Sequence, residues 1–316
     1  MTGADFVAAR HRAEQKDHSL RDKRTSAAEA AALVSDGDHV AVGGCLYSRT
    51  PMALLREVLR RRPHDLTLSR SLMCYEGDLY MVAGAVERVT TSWMGIGLPW
   101  GVSRTMRQCV ESGQVRFEEW SHLALGLRYR AAAMGVPFLP TLTTLGSDLL
   151  AGGGARTMIC PFTGEKLCLV PALFPDVAVL HVHRADPYGN AQIDGYAHMD
   201  ADLARAAAVV IVSAEEIVPP DELRRRGDAT SIPFFTVDAV VEAPFGCFPH
   251  ECFGRYHADL DAIGEYGRAV AEHGIEATAE FLERWVWSPR TFADYLALFG
   301  KERLELQRRR AAELLA

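Results

Sequence analysis

Short apolar runs alternate with amphipathic stretches along most of this chain. The runs at 40–42, 177–182 and 209–213 are bounded by turn-forming residues, which is typical of buried strands. Stretches of helical period lie between them, at 51–61 and 121–134 among others. Strands that alternate with helices favour a mostly parallel sheet. We therefore expect an α/β fold with a mainly parallel sheet and helices on both faces.

The segment 36–51 joins one predicted strand to a helix through a glycine turn. Gly43 and Gly44 follow the apolar run 40–42, and Thr50 and Pro51 suit the cap and the first residue of the next helix. Glycine lets a ligand approach the backbone closely, and open α/β sheets bind ligands at the carboxyl ends of their strands. We expect both glycine amides to face a substrate. A turn without a ligand is the alternative.

Further polar residues near predicted strand ends are candidate binding residues. Ser48 and Arg49 share the glycine loop, and a guanidinium at Arg49 suits a substrate carboxylate or phosphate. Ser69 and Ser71 follow the second predicted strand and are expected to line the same cleft. The turn that contains Asp186, Gly189 and Asn190 contributes either to a substrate pocket or to a partner interface, unless it is a purely structural Asp-Pro turn.

Composition narrows the class of protein. The chain has 316 residues, of which 48% are hydrophobic and 24% charged, with a net charge of −7, so nucleic acid is not an expected partner. No apolar run reaches the roughly 20 residues of a membrane span, and seven cysteines without framework spacing fit reduced thiols. These features predict a cytoplasmic protein with no membrane contact. We expect a flexible leader over 1–24 and one domain over 25–316.

Two groups of residues have the composition of metal ligands. Cys247, His250 and Cys252 lie within one short segment, and His181 and His183 alternate at a strand end. The first group lacks the paired spacing of zinc sites, and neither group supplies an obvious fourth ligand. The sequence therefore predicts no metal site.

The blocks of the chain resemble one known family. Segment 36–51 is similar to the signature of family I coenzyme A transferases, Asp-Gly-x-x followed by three apolar residues, Gly-Gly and a closing proline. Cys45 and Arg49 depart from that signature in the manner of its glutaconate-type branch. Further blocks resemble the α subunits of that branch, in the same order along the chain: 119–121, 131–140, 181–190, 213–217, 237–246 and 249–254. The resemblance extends over about 24–305.

This resemblance implies a fold of the CoA-transferase and sugar-phosphate-isomerase type. It also implies an α subunit of a heteromeric enzyme that moves CoA between an acyl-CoA and a carboxylic acid. The nucleophilic glutamate would belong to the β subunit, the CoA thioester would be a substrate, and no cofactor would be bound permanently.

Two side chains of this chain remain candidates for catalysis. Glu76 follows the second strand, at a place comparable with that of the β-subunit nucleophile, although a surface carboxylate is the alternative. His122 stands where a ring-opening hydrolase branch of the family carries a glutamate, and a helix-surface histidine is the alternative. An α subunit of a CoA-thioester hydrolase and a non-catalytic ligand-binding subunit therefore stay open as other functions.

Overall fold

A computed structural model describes residues 3–97, 99–152 and 154–315. The strands are β1 (His39–Val42), β2 (Leu66–Met73), β3 (Val86–Met94), β4 (Arg116–Glu119), β5 (Phe138–Thr141), β6 (Arg156–Ile159), β7 (Lys166–Pro171), β8 (Val177–Ala185), β9 (Ala191–Gln192), β10 (Val209–Ile217), β11 (Thr230–Ile232) and β12 (Ala239–Glu242).

The helices divide into two groups along the chain. Those before β10 are α1 (Gly3–Glu14), α2 (Ala27–Ala31), α3 (Met52–Arg60), α4 (Tyr75–Val82), α5 (Arg104–Glu111), α6 (His122–Ala133), α7 (Leu149–Gly152) and α8 (Asp200–Ala206). Those after it are α9 (Pro220–Arg224), α10 (Leu260–His273), α11 (Ile275–Leu282), α12 (Phe292–Ala297) and α13 (Lys301–Glu313), with a π-helical turn at Glu283–Trp287 and short 3₁₀ turns at Gly227–Ala229 and Phe234–Thr236.

Nine strands form the main sheet. Its path is β11-β9-β8-β1-β2-β3-β4, and β10 pairs with the other side of β8 and with β12. All pairs are parallel except those that β9 makes with β8 and β11. The predicted mainly parallel sheet is confirmed, and the carboxyl ends of its parallel strands lie along one edge.

Side chains of the central strands alternate between two cores, one on each face of the sheet. Val40 and Val42 of β1 pack with α2, α3, α4 and α10, whereas Ala41 packs on the other face with α6 and α8. This period of two is the reason that short apolar runs predicted the strands correctly. Helices therefore cover both faces, as expected.

A second sheet, β5-β7-β6, is small and antiparallel. It includes part of the glycine-rich stretch at 149–164, where Arg156–Ile159 pairs with Lys166–Leu169. Of the helices described, none is long and apolar enough to cross a membrane. The segment predicted as a leader contains α1, and Lys23 within it is buried and donates its backbone N–H to the Pro187 carbonyl. The domain boundary at residue 24 stays a prediction.

Candidate active site

The loops that follow β1 and β12 are joined at the carboxyl edge of the main sheet. Arg49 donates its backbone N–H to the Glu251 carbonyl at 2.9 Å, and Glu251 donates to the Tyr47 carbonyl at 2.8 Å. The backbone N–H of Ala53, in the first turn of α3, reaches the Gly246 carbonyl at 2.9 Å. Because these contacts cross about 200 residues of chain, only the fold brings the two loops together.

The glycine amides of the first loop are both engaged within the chain. The N–H of Gly43 donates to the Val179 carbonyl of β8 at 2.9 Å, and the N–H of Gly44 donates to the Asp200 carboxylate at 2.8 Å. The prediction that these amides face a substrate is therefore wrong. The glycines are needed for space instead: a Cβ on Gly43 would lie 2.6 Å from Leu180, and one on Gly44 would lie 2.1 Å from the Ser48 carbonyl oxygen.

The Arg49 side chain is buried and is not available to an anionic ligand. Its exposed fraction is 1%, and its guanidinium forms an ion pair of 2.5 Å with Asp200, which is fully buried. The same guanidinium donates to the carbonyls of His181 and Tyr196, both at 2.9 Å. The predicted pairing of Arg49 with a substrate conflicts with this geometry, because both terminal nitrogens already have acceptors. Asp200 gave no signal in the sequence, since it lies 151 residues away.

Ser48 keeps a hydroxyl that no hydrogen bond among the described residues uses, and its side chain is half-buried. The Ser71 hydroxyl likewise has no partner in the described part of the chain, although Ser71 is only 3% exposed. Ser69 differs, because its hydroxyl lies 2.6 Å from His39 Nε2 and accepts from the Tyr129 hydroxyl at 2.7 Å. It serves the interior of the sheet, so its predicted place in the cleft is not supported.

Arg70 and Glu76 form a second buried ion pair beside the glycine loop. Their side chains are 2.5 Å apart, with exposed fractions of 0% and 1%. Arg70 also donates to the Gly43 carbonyl at 3.1 Å and to the Thr50 hydroxyl at 3.0 Å. Glu76 is therefore not a surface carboxylate, and it is not an open nucleophile either. The sequence marked Glu76 but gave no reason to pair it with Arg70.

Glu251 is a carboxylate that sequence reasoning missed. It belongs to the loop after β12, is half-buried and forms a backbone bridge with Ser48, and burial raises its pKa above the ordinary value for a glutamate. Nothing in the local pattern of the block 249–254 distinguishes this glutamate from a surface residue.

Among the described residues, neither His122 nor the turn 186–190 forms a hydrogen bond with the glycine loop. His122 is exposed at the first turn of α6, directly after the capping residue Ser121. In the turn, Asp186 accepts from the backbone N–H groups of Tyr188 and Asn190 and from the Asn190 side chain, and Gly189 adopts a φ of 100°. The turn is tied to Phe234 and Lys23, and no hydrogen bond between described residues joins it to the glycine loop.

The fold rearranges the two groups of residues that have the composition of metal ligands. His181 lies with Glu215 and Cys252, and hydrogen bonds to Cys252 and Glu215 outweigh burial and raise the pKa of His181 to about 9. His183 instead contacts the Phe253 carbonyl and the Asp194 N–H. His250 lies with Cys74 and Glu76. Cys252 therefore lies beside Cys247 and beside both His181 and His183, whereas His250 is separated from the two cysteines of its own segment.

A groove of about 970 Å³ runs along edge strand β4, lined in part by Arg88, Glu118 and Leu149. None of its lining residues belongs to the loops after β1 and β12. The candidate site at the sheet edge is therefore a surface of joined loops and not part of this groove.

Comparison with known proteins identifies relatives over most of the chain. The sequence profile of the coenzyme A transferase family matches residues 24–243. The α subunit of glutaconate CoA-transferase from Acidaminococcus fermentans is 32% identical over 292 residues, which is 87% of this chain and 90% of the relative. The crystal structure of glutaconate coenzyme A-transferase from that organism matches with a TM-score of 0.85 over 90% of this chain and 94% of the other.

Two further relatives broaden this picture. An uncharacterized protein of Archaeoglobus fulgidus is 40% identical over 299 residues, which is 94% of this chain but only 66% of that longer protein. The cholesterol ring-cleaving hydrolase IpdA subunit of Mycobacterium tuberculosis is 32% identical over 265 residues, which is 80% of this chain and 89% of the relative. The extent of the profile match, together with the shared fold, shows that this chain belongs to the coenzyme A transferase family.

Proposed function

We propose that this chain works with a separate β subunit to move CoA from an acyl-CoA to a carboxylic acid. The family and the α-subunit relative support a CoA-transferase subunit that uses CoA thioesters. In the proposed reaction, a β-subunit glutamate attacks the thioester carbonyl, which releases CoA thiolate and leaves an acyl-glutamyl anhydride. The thiolate then attacks the glutamyl carbonyl, which releases the first acid and leaves a glutamyl-CoA thioester for the acceptor acid.

The burial of Glu76 is the observation that carries this proposal. Glu76 is the carboxylate placed most like a nucleophile, but it is 1% exposed and held by Arg70 at 2.5 Å. An acyl-CoA has no route to it through the described surface, and the ion pair stabilises the carboxylate against attack on a carbonyl. A nucleophile supplied by another chain removes both difficulties.

This chain would contribute a shaped rim to the shared site. The Arg49–Asp200 pair fixes the glycine loop, and that loop presents the free hydroxyl of Ser48 beside the half-buried Glu251. Hydroxyl and backbone donors that are held in place stabilise the oxyanion of a thioester addition without reorganisation. We propose Ser48 and Ser71 as substrate-facing residues and give the glycines a purely conformational role.

The test is to co-produce the chain with a candidate β subunit, then to assay CoA exchange over a panel of acids. Borohydride or hydroxylamine trapping with an acyl-CoA, followed by peptide mapping, locates the glutamyl-CoA adduct. We expect the adduct on the β subunit of the wild-type enzyme, and none on Glu76 or Glu251 of this chain. An adduct on Glu76 or Glu251, or turnover by the isolated chain, would refute the division of labour.

The same assay separates the two other functions. A hydrolase would release free CoA and acid without an acceptor carboxylate, and the exposed position of His122 offers it no buried general base at that point. A non-catalytic binding subunit would bind acyl-CoA but give neither exchange nor release when the β subunit is present.

A further inference from the structure

Three possible metal-donor atoms lie together in the interior, close to the glycine loop. They belong to Cys74, Glu76 and His250. One ligand atom of each residue lies within 4.8 Å of the others. The exposed fractions are 1% for Cys74, 1% for Glu76 and 0% for His250. Cys74 and Glu76 stand at the end of β2, whereas His250 comes from the loop after β12, so this cluster exists only in the folded chain.

Two buried acceptors in this cluster have no partner among the described residues. They are Oε2 of Glu76 and Nε2 of His250. The other oxygen of Glu76 is already satisfied, since it accepts from Arg70 and from the backbone N–H of Cys74 at 2.8 Å. A buried polar atom without a partner is unfavourable, so the two unpartnered atoms point to a ligand that binds between them.

The hydrogen bonds of Thr50 decide which tautomer His250 adopts. The Thr50 hydroxyl lies 3.1 Å from the Leu46 carbonyl oxygen, which can only accept, so its proton goes there. His250 Nδ1, 2.5 Å from the same hydroxyl, must then donate. Nε2 consequently carries a lone pair, and it is the ring nitrogen without a partner among the described residues.

We propose that Cys74, Glu76 and His250 bind a zinc ion. Thiolate sulfur, imidazole nitrogen and carboxylate oxygen are the donors that Zn²⁺ takes in proteins, whereas calcium and magnesium prefer sites made of oxygen alone. Water completes the four-coordinate shell. The inference goes beyond the family reaction, which needs no metal, and it replaces the expectation of no metal site.

The surroundings have the features of an outer ligand shell. Thr50 holds the second nitrogen of His250, and Arg70 holds the second oxygen of Glu76, as such partners do around metal-binding histidines and carboxylates. Zinc binding displaces the Cys74 thiol proton, so that the ion has two anionic ligands, the Cys74 thiolate and the Glu76 carboxylate that also pairs with Arg70.

Because all three ligands are buried, zinc would enter while the chain folds. Once bound, it would tie the end of β2 to the loop after β12, beneath the proposed substrate rim. The role is structural, so it can be tested without any assay of CoA transfer.

The experiment uses the full chain, co-produced with its partner in zinc-supplemented medium. Mass spectrometry of total metal should give about one zinc per chain in the wild type, and Cys74→Ser and His250→Gln, each of which removes a direct ligand, should each lose most of that zinc. Cys109→Ser is the matched control, because Cys109 is a buried thiol on α5 outside the cluster, and it should retain zinc. Cobalt substituted for zinc should give a thiolate-to-metal absorption band that Cys74→Ser abolishes.

Three results would overturn the site. They are zinc content that is unchanged in Cys74→Ser and His250→Gln, a cobalt protein without the thiolate band, and a high-resolution crystal structure of the zinc-grown protein with a water molecule between Glu76 and His250. The cobalt spectrum of the wild type decides the matter even where a variant fails to fold.

Discussion

At the scale of single residues, the Arg49–Asp200 pair is a buried ion pair on which the stability of the fold depends. Both side chains are 1% exposed or less, and truncation of either would leave a charge in the interior without its partner. Breaking a buried pair in this way costs about 3–5 kcal/mol. We therefore expect Arg49→Ala and Asp200→Ala each to lose about that much free energy of unfolding in urea.

The exposed pair Arg224–Asp221 is the control for that measurement. Its side chains are 72% and 84% exposed, so Arg224→Ala should change the free energy of unfolding by only about 0–1 kcal/mol. Equal losses in Arg49→Ala and Arg224→Ala would contradict a stabilising role for the buried pair. Arg49→Lys, which keeps the charge, serves where Arg49→Ala gives no folded protein.

His39 should make stability depend on pH in the acid range. Burial lowers its pKa from 6.5 to about 4, so the unfolded chain binds a proton before the folded chain does. Stability is therefore lost as pH falls from 6.5 towards about 4, and none is lost to this group above 6.5. We expect the stability advantage of the wild type over His39→Gln to shrink across this interval, as measured by urea denaturation at a series of pH values.

His122→Gln is the control, because His122 is exposed. Its stability should run parallel to that of the wild type over the same interval. A constant difference between the wild type and His39→Gln would show that His39 does not titrate with a lowered pKa.

At the scale of elements, the shape of the glycine loop depends on two properties of Gly44. One is its left-handed backbone conformation, and the other is the short distance to neighbouring backbone atoms. Gly44 has a φ of 66°, and a Cβ there would lie 2.1 Å from the Ser48 carbonyl oxygen. Gly37 has a φ of 80° but nothing within 4 Å of the same atom. Gly37→Ala therefore tests the conformation alone, at about 1–2 kcal/mol, whereas Gly44→Ala should cost a further 1–3 kcal/mol or so.

Urea denaturation of the two variants measures the difference. CoA exchange by the assembled enzyme should fall in Gly44→Ala and be unchanged in Gly37→Ala, because only the first substitution displaces Ser48. Equal stability of the two variants would show that the loop adjusts without cost.

The sequence predicted elements well where one physical cause dominates. The apolar run 40–42 and the helix after Pro51 follow from burial and from helix geometry, and both are present. The prediction was wrong for Thr50, whose hydroxyl has two possible hydrogen-bond partners. It was expected to cap α3, but it donates to the Leu46 carbonyl instead. Residue type also marked the glycine loop, whose place in an active site stays a prediction, but it could not show that Asp200, far along the chain, accepts from Gly44 and Arg49.

At the scale of the whole molecule, the segment 1–24 is the part whose role the sequence specified least. Its composition indicated a leader, yet the Lys16 side chain is 6% exposed and lies 2.7 Å from the Asp238 carboxylate, and the Lys23 ammonium donates to the Phe234 carbonyl at 2.6 Å. By contrast, among the described side chains of α1, Phe6 contacts Phe174 with 5.7 Å between ring centroids, Ala9 is buried, and Arg12 forms an exposed ion pair with Asp176. Residues 15–24 therefore contribute more to the stability of the fold than α1 does.

Two truncated variants test this difference. Removing residues 2–14 deletes α1, and we expect a small decrease in the thermal midpoint. Removing residues 2–24 also leaves Asp238, which is 20% exposed, without its cation, and it removes the Arg24 bridge to Val240 at β12. The second variant should therefore unfold at a clearly lower temperature than the first, because an uncompensated carboxylate and an unpaired strand edge add to the loss. Lys16→Met in the full chain separates the ion pair from the rest. If both truncations had the same thermal midpoint, residues 15–24 would be dispensable and the predicted domain boundary at residue 24 would stand.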